Sequence, residues 1–254
     1  MSHRTSLCTC IVSGAALIAA AVGFTGGHSN SARGAGSTNA VFDPSHFVRH
    51  ITNPYLPYSP GSRWVYSGIK DGQTQRDVVT VRHSTKSILG ITATVITDVA
   101  THGAVLLEKT TDWYAQDDQG NVWYLGERTA AYEGGTVDTS GSWLAGVKGA
   151  VPGIVMTADP QVGDTHRQEY WAGQAEDQYW LVDLNQRVSV PFGSFRHALL
   201  TLEWSRLEPG VIDRKDYVRG IGVVKEQAAQ GPKEIATLVR YTQPLGSQRF
   251  GLRR

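Results

Sequence analysis

A chain of 254 residues, with 41% hydrophobic and 19% charged residues, is long enough to bury a core and too apolar for an acidic, disordered chain. The formal net charge of +1 gives no electrostatic case for nucleic-acid binding, which requires a clustered excess of Lys and Arg. The two cysteines, Cys8 and Cys10, lie near the start of the chain, so the rest of it has neither disulfides nor thiolate chemistry.

The first 40 residues predict export. Residues 1–25 have the pattern of a signal peptide, with His3 and Arg4 before an apolar run over residues 7–24. Such a run could also span a bilayer, but its Gly and Ala content and the Ser and Gly that follow favour cleavage. Residues 26–40 predict a flexible linker. We therefore expect an extracellular, periplasmic or cell-envelope protein with no stable membrane anchor after cleavage.

Residues 41–254 predict a β-rich globular region. Three prolines within residues 54–60 exclude a helix at its entry. Segments rich in β-branched and aromatic residues then alternate with turn signals such as Leu89-Gly90. The segments that predict strands are residues 63–66, 77–82, 91–97, 105–114 and 121–125. Consecutive strands of this kind are expected to pair as antiparallel hairpins.

A long Gly-rich connection interrupts this rhythm over residues 129–161. Loops of this length are usually functional or bridge substructures. We expect the connection to be ordered and packed on the sheet, because it carries four large apolar side chains, Trp143, Val147, Ile154 and Met156.

The two flanking regions, about 60–128 and 162–227, predict an internal repeat with a shift of about 100 residues. Residues 60–68 are echoed by 162–173, residues 90–95 by 193–199, and residues 112–127 by 215–226. Three matches in the same order favour duplication, although gaps make the identity weak. The predicted fold is mainly β, with two related curved antiparallel sheets.

Two segments carry a resemblance to known proteins. Residues 217–226, YVRGIGVVKE, resemble the closing Tyr-x-x-Gly-x-Gly-x-Val hairpin of LolA-like and TapB-like secreted bacterial proteins. Residues 112–127, DWYAQDDQGNVWYLGE, resemble a signature of uncharacterised exported bacterial proteins. The resemblance covers about residues 42–226 and implies an incomplete barrel whose concave face can hold apolar material. It brings no catalytic residues.

Aromatic and acidic side chains supply the candidate ligand-binding residues. Neighbours on a strand point to opposite faces, so one member of each adjacent aromatic pair packs inward. The other member lies on the second face, where it either lines a ligand groove or packs under the Gly-rich connection. Paired carboxylates are the chemistry of glycoside hydrolysis, and Glu127 and Glu169 are the pair to test first. The complete candidate set is Trp113, Tyr114, Trp123, Tyr124, Trp143, Trp171, Glu127 and Glu169.

No cofactor, metal or catalytic site is predicted. Residues 117–121, DDQGN, have the oxygen-rich composition of a calcium loop but lack the spacing of an EF-hand, and a simple turn explains them better. His46 and His50 lack a third zinc ligand nearby. Nucleophile elbows and phosphate-binding glycine loops followed by Lys are absent from the sequence.

Three functions stay open at this point. The first is a non-enzymatic exported module that binds an apolar small molecule or an envelope component on the concave face. The second is a secreted hydrolase acting on sugars or envelope components. The third is a structural or interaction protein that uses the Gly-rich connection. The oligomeric state is not predicted.

Overall fold

A computed structural model describes residues 42–70 and 72–244. The predicted signal peptide and linker lie outside these residues. Within them, a short 3-10 helix at Pro44–His46 is capped by Asp43, whose carboxylate accepts from the Ser45 amide. The same residues contain no helix long and apolar enough to cross a membrane.

Sixteen strands make up most of the described chain. Those before residue 145 are β1 Phe47–Val48, β2 Arg63–Lys70, β3 Gln73–Ile88, β4 Ile91–His102, β5 Val105–Asp117, β6 Val122–Glu133, β7 Thr136–Asp138 and β8 Trp143–Leu144. The later ones are β9 Val151–Met156, β10 Thr165–Arg167, β11 Glu169–Tyr170, β12 Asp177–Val190, β13 Gly193–Ser205, β14 Ile212–Val218, β15 Gly222–Gln230 and β16 Glu234–Thr242.

The strands form one antiparallel sheet in the order β10, β12, β13, β14, β15, β16, β2, β3, β4, β5, β6, β9, β11. β1 adds to β5, and β7 and β8 add to β6. The last strand pairs with β2, where Tyr241 lies opposite Trp64 and the two rings stack with centroids 4.9 Å apart. This pairing joins the two halves of the chain.

The two ends of the sheet meet within one short segment of chain. β10 pairs with β12. β11 follows β10 after a single intervening residue, Gln168, and pairs with β9. The sheet is therefore a nearly closed barrel with one unsealed seam, beside β9 and β10. At this seam a Cβ on Gly153 would lie 2.2 Å from the carbonyl oxygen of Arg167, so only glycine lets the two backbones approach this closely.

The predicted fold class is confirmed, with one refinement. The two predicted sheets are halves of a single curved sheet, one running from β2 to β6 and the other from β12 to β16. All five predicted strands of the first half are present and longer than predicted. Leu89 and Gly90 form the β3–β4 turn, both with positive φ, as a tight hairpin turn requires. The duplication itself stays a prediction.

The Gly-rich connection is more regular than predicted, since it supplies β7, β8 and β9 to the sheet. Trp143, Ile154 and Met156 are buried as expected. The expectation for Val147 was wrong, because its side chain is 47% exposed. Val147 lies in a tight turn, where its amide donates to the Leu144 carbonyl and its own carbonyl accepts from Ala150, and this turn holds its side chain away from the sheet.

Candidate functional site

The inside of the barrel carries an unusual number of acidic side chains. In the first half, cross-strand register and alternation place Asp77, Asp98, Glu108, Asp112 and Glu127 on the inner face of β3, β4, β5 and β6. All five are buried. Eleven carboxyl side chains are buried in the described chain as a whole, namely Asp77, Asp98, Glu108, Asp112, Asp117, Glu127, Glu169, Asp177, Glu203, Asp216 and Glu226.

Burial controls the protonation of these groups. It raises the pKa of Asp98 well above the usual value, and the neighbouring Asp77, which is also hydrogen-bonded to Asp98, adds to the shift. Two carboxyl groups that share a dry site cannot both ionise cheaply, so this pair holds a proton more tightly than a solvated carboxyl group does. Burial likewise raises the pKa of Asp177, to about 8.

The two carboxylates singled out for hydrolysis, Glu127 and Glu169, lie near one another. Trp143 lies opposite Glu127 in the pairing of β6 with β8. Its indole also lies close enough to the Glu169 carboxyl group to lower the pKa of that group. Burial raises the pKa of Glu127 well above its usual value, and Asp112 and Glu169 raise it further. Burial and Asp177 raise the pKa of Glu169, which the Trp143 indole partly offsets.

The carboxyl groups of Glu127 and Glu169 are not accessible to a substrate. Glu127 is 3% exposed and Glu169 is 0% exposed, and β8 with Trp143 covers them. Two hydrolytic carboxylates must flank a substrate and, in some mechanisms, a water molecule. Burial therefore raises the proton affinity of the pair, but the pair lies in packed interior rather than an open cleft.

The second half of the barrel contains a paired cation. Lys215 Nζ lies 2.8 Å from Oε2 of Glu203 and 3.9 Å from Oε2 of Glu226. The other oxygen of Glu203 accepts from the hydroxyls of Thr201 and Tyr217. Burial acts to raise the pKa of Glu203, but the Lys215 ammonium and these hydrogen bonds outweigh it and hold the pKa below its usual value.

The predicted aromatic residues have packing roles. Tyr114 stacks on Tyr124 with centroids 4.7 Å apart, and the Tyr124 hydroxyl donates to Asp112. Trp123 donates from its indole N–H to Asp117. Of the six candidate aromatics, Trp171 is half-buried and the other five are buried.

Both faces of the sheet are covered where these aromatics cluster. Phe42 and Phe47 pack on Trp123 with centroids 5.6 and 6.0 Å away. Lys86 lies over Trp113, with its Nζ 4.0 Å from the ring centroid, and Lys148 lies over Trp171 at 5.7 Å. The structure therefore brings most of the aromatics together without leaving an exposed aromatic groove among them.

Two small cavities lie beside Glu226. Those lined by Lys70, Gln75 and Glu226 and by Asp177, Glu203 and Glu208 have volumes of about 30 and 20 Å³. Spaces of this size hold one or two water molecules. A larger cavity of about 250 Å³ lies between the 3-10 helix and the β5–β6 turn and is lined by Asp43, His46, Phe47, Asp117, Asp118, Gln119 and Trp123.

The residues lining this larger cavity already serve local structure. Oδ1 of Asp117 accepts from the amides of Gln119 and Asn121, and Oδ2 accepts from the Asn121 side chain and the Trp123 indole. His46 Nδ1 lies 2.7 Å from Oδ2 of Asp118. N–H donors thus occupy both oxygens of Asp117, as the turn interpretation predicts. No cluster of three metal-ligating side chains occurs in residues 42–70 and 72–244.

Sequence reasoning missed Asp77, Asp98 and Glu108, although the sequence carries a signal for the charge arrangement. Acidic and basic residues stand side by side on strands, as in Arg76-Asp77 and Glu108-Lys109. Because neighbours on a strand point to opposite faces, such pairs separate charge across the sheet. Each acid points inward and each base points outward.

Comparison with known proteins gives two distant similarities of fold. No protein-family model matches the sequence, and no curated protein matches it. A Bacteroides fragilis protein described as exported, with a YmcC-like fold, is 14% identical with a TM-score of 0.42, over 73% of this chain and 97% of that one. A Parabacteroides distasonis protein described as a lipoprotein is 11% identical with a TM-score of 0.42, over 75% of this chain and 99% of that one. Neither similarity shows the family of this chain, and the LolA-like resemblance stays a prediction.

Proposed function

We propose that this chain is an exported, non-enzymatic module that binds a component of the cell envelope. The observation that carries the proposal is the packed interior: the inner face of the barrel is filled by side chains, and the two cavities at Glu226 have room for water only. A ligand larger than water therefore binds on the outside. Export rests on the signal-peptide pattern of residues 1–25.

The nature of the inner face also favours an envelope component over an apolar small molecule. A pocket for an apolar ligand is lined mostly by hydrophobic side chains with a few polar groups. Here five carboxyl groups, Asp77, Asp98, Glu108, Asp112 and Glu127, occupy the concave side of four adjacent strands. An apolar guest at this place would have to displace packed side chains and leave these groups without solvation.

Hydrolysis is the second candidate, because Glu127 and Glu169 lie close enough to interact electrostatically. Glu169 raises the pKa of Glu127, and Asp112 raises the pKa of both. A reaction at this pair requires β8 and Trp143 to move away and expose it. The structural or interaction protein is the third candidate and differs from the first only in having a protein as its partner.

A co-sedimentation assay tests the proposal. Purified protein starting at residue 41 is incubated with insoluble envelope fractions, and both the bound protein and any released soluble saccharide are measured. We expect binding without release. Absence of binding to every fraction, or release of saccharide that Glu127→Gln abolishes, would overturn the proposal. Glu127→Gln is a suitable variant because its amide matches the shape of the neutral carboxyl group that burial favours.

A further inference from the structure

We propose that the outer face of β16, β2, β3, β4, β5 and β6 binds a linear polyanionic glycan, whose carboxylate or phosphate groups contact its basic side chains. This inference rests on the proposed envelope-binding function and names the surface and the class of partner.

Register places two rows of outward side chains across these six strands. The first runs through Thr242, Arg63, Thr80, Thr97, Thr111 and Arg128, one residue from each strand. The second runs through Arg240, Val65, Val78, Val99, Lys109 and Ala130 in the same way. No Asp or Glu occupies a position in either row.

The basic residues of the two rows are widely separated on this face, with Val65 buried and the other residues between them half-buried. Arg63 and Arg128 are separated by four strand spacings, which is about 19 Å at ~4.8 Å per spacing. Arg240 and Lys109 are separated by the same number of strands in the second row. The rows lie two residues apart along each strand, or roughly 7 Å. All four basic side chains are exposed.

These cations have no acidic partners within the described chain: no carboxylate lies within 4.0 Å of the charged atoms of Arg63, Lys109, Arg128 or Arg240. The reason is the separation of charge across the sheet. Glu108 and Glu127 point inward beside Lys109 and Arg128, which point outward. The net charge of +1 therefore conceals an acidic interior and a basic exterior.

Protonation strengthens the imbalance. The inner carboxyl groups are buried beside one another, and burial raises the pKa of Asp98 and Glu127 well above the usual values. An inner carboxyl group that holds a proton does not balance the charge of the outer arginines, so each such proton leaves the outer face more positive.

A glycan fits this face better than a membrane or a duplex does. The outside of a barrel is convex, and a flat bilayer or stiff duplex would meet few of the four cations, whereas a flexible chain can follow the curve. Between Arg63 and Arg128 the hydroxyls of Thr80, Thr97 and Thr111 succeed one another at the strand spacing of ~4.8 Å. Such a row offers a hydrogen-bonding partner to successive sugar rings. The Thr97 hydroxyl also reaches the Thr80 carbonyl at 3.5 Å, a contact too long to occupy it.

Binding of polygalacturonate and of polyphosphate tests the inference, with neutral dextran as the uncharged comparison. We expect the protein to bind polygalacturonate at low ionic strength, more weakly as salt rises, and not to bind dextran. Binding of polyphosphate alone, which has no sugar rings, would overturn the assignment of a glycan. The double variant Arg63→Gln/Arg128→Gln is expected to raise the Kd about tenfold. The matched control, Arg187→Gln/Arg196→Gln, removes two exposed arginines from β12 and β13 and is expected to change the Kd less than about twofold.

Several results would overturn the inference. These are failure to bind polygalacturonate, equal losses in the two double variants, or tighter binding to phosphatidylglycerol vesicles or duplex DNA with the same dependence on Arg63 and Arg128. If Arg63→Gln/Arg128→Gln leaves binding to the envelope fractions unchanged, the assignment of binding to this outer face is wrong, while the proposed envelope-binding function stands. If the unmodified chain binds no envelope fraction, the proposed function itself fails.

Discussion

The side-chain nitrogen of Lys215 lies 2.8 Å from Oε2 of Glu203, with both side chains buried inside the barrel. Lys215→Met is expected to destabilise the protein by about 3–5 kcal/mol, because it leaves the Glu203 carboxylate buried without its cation. The free energy of unfolding, measured by urea denaturation with tryptophan fluorescence, checks this expectation.

The double variant Lys215→Met/Glu203→Gln serves as the control for this pair. It removes both charges while a Gln side chain can still accept from Thr201 and Tyr217. We expect it to recover most of the stability that Lys215→Met loses. A double variant as unstable as the single one would contradict the assignment of the loss to an unpaired charge.

The buried carboxyl groups make stability depend on pH. Burial raises the pKa of Glu169 and Glu226 well above the usual values and that of Asp177 to about 8. The folded state therefore holds protons that the unfolded chain releases above about pH 4.5. Stability from these groups is complete below that pH and is lost as the pH rises toward their folded pKa values.

We therefore expect the free energy of unfolding to be higher near about pH 5 than near about pH 8, with a slope of about −1.4 kcal/mol per pH unit for each such proton. Glu203 acts in the opposite sense, since Lys215 holds its pKa below the usual value, and its contribution is lost in acid. Denaturation curves across this range check the sign. Glu226→Gln removes one titrating group, so an unchanged slope in that variant would contradict this origin.

The strands were predictable from the sequence because their alternating pattern is local. Val79 and Val81 point inward while Thr80 points outward, and this alternation identifies β3 without any knowledge of its neighbours. The closure was not predictable in the same way. β16 pairs with β2 across more than 160 residues, and no local pattern in Leu238 or Tyr66 specifies that partner.

The candidate site was predictable only in part, for a similar reason. Glu127 and Glu169 could be chosen from the sequence as the carboxyl pair to test first. Their burial was not predictable, because β8, which places Trp143 opposite Glu127, is only two residues long. The sequence could not say which of Trp123 and Tyr124 packs inward, and both were candidates to line a groove. Phe42 and Phe47, which precede it by more than 70 residues, cover its other face.

The seam of the barrel gives a prediction about glycine. Gly153→Ala would place a Cβ 2.2 Å from the Arg167 carbonyl oxygen, and backbone cannot move aside cheaply. We expect a loss of about 3 kcal/mol in the free energy of unfolding. Gly193→Ala is the matched control, because its Cβ would lie 3.2 Å from the end of the Phe195 ring, which can shift. Equal losses in the two variants would argue against close packing at the seam.

The β5–β6 turn gives a prediction about calcium. Four N–H donors occupy the carboxylate of Asp117, so Asp117→Ala is expected to cost about 3 kcal/mol of stability, at roughly 1 kcal/mol for each of several lost hydrogen bonds. Asp118→Ala removes an exposed contact with His46 and is expected to cost much less than Asp117→Ala. Because no oxygen of Asp117 is left for a cation, calcium chloride or a chelator is expected to leave the Tm unchanged. A rise in Tm with calcium that Asp117→Ala abolishes would show instead that the turn binds the ion.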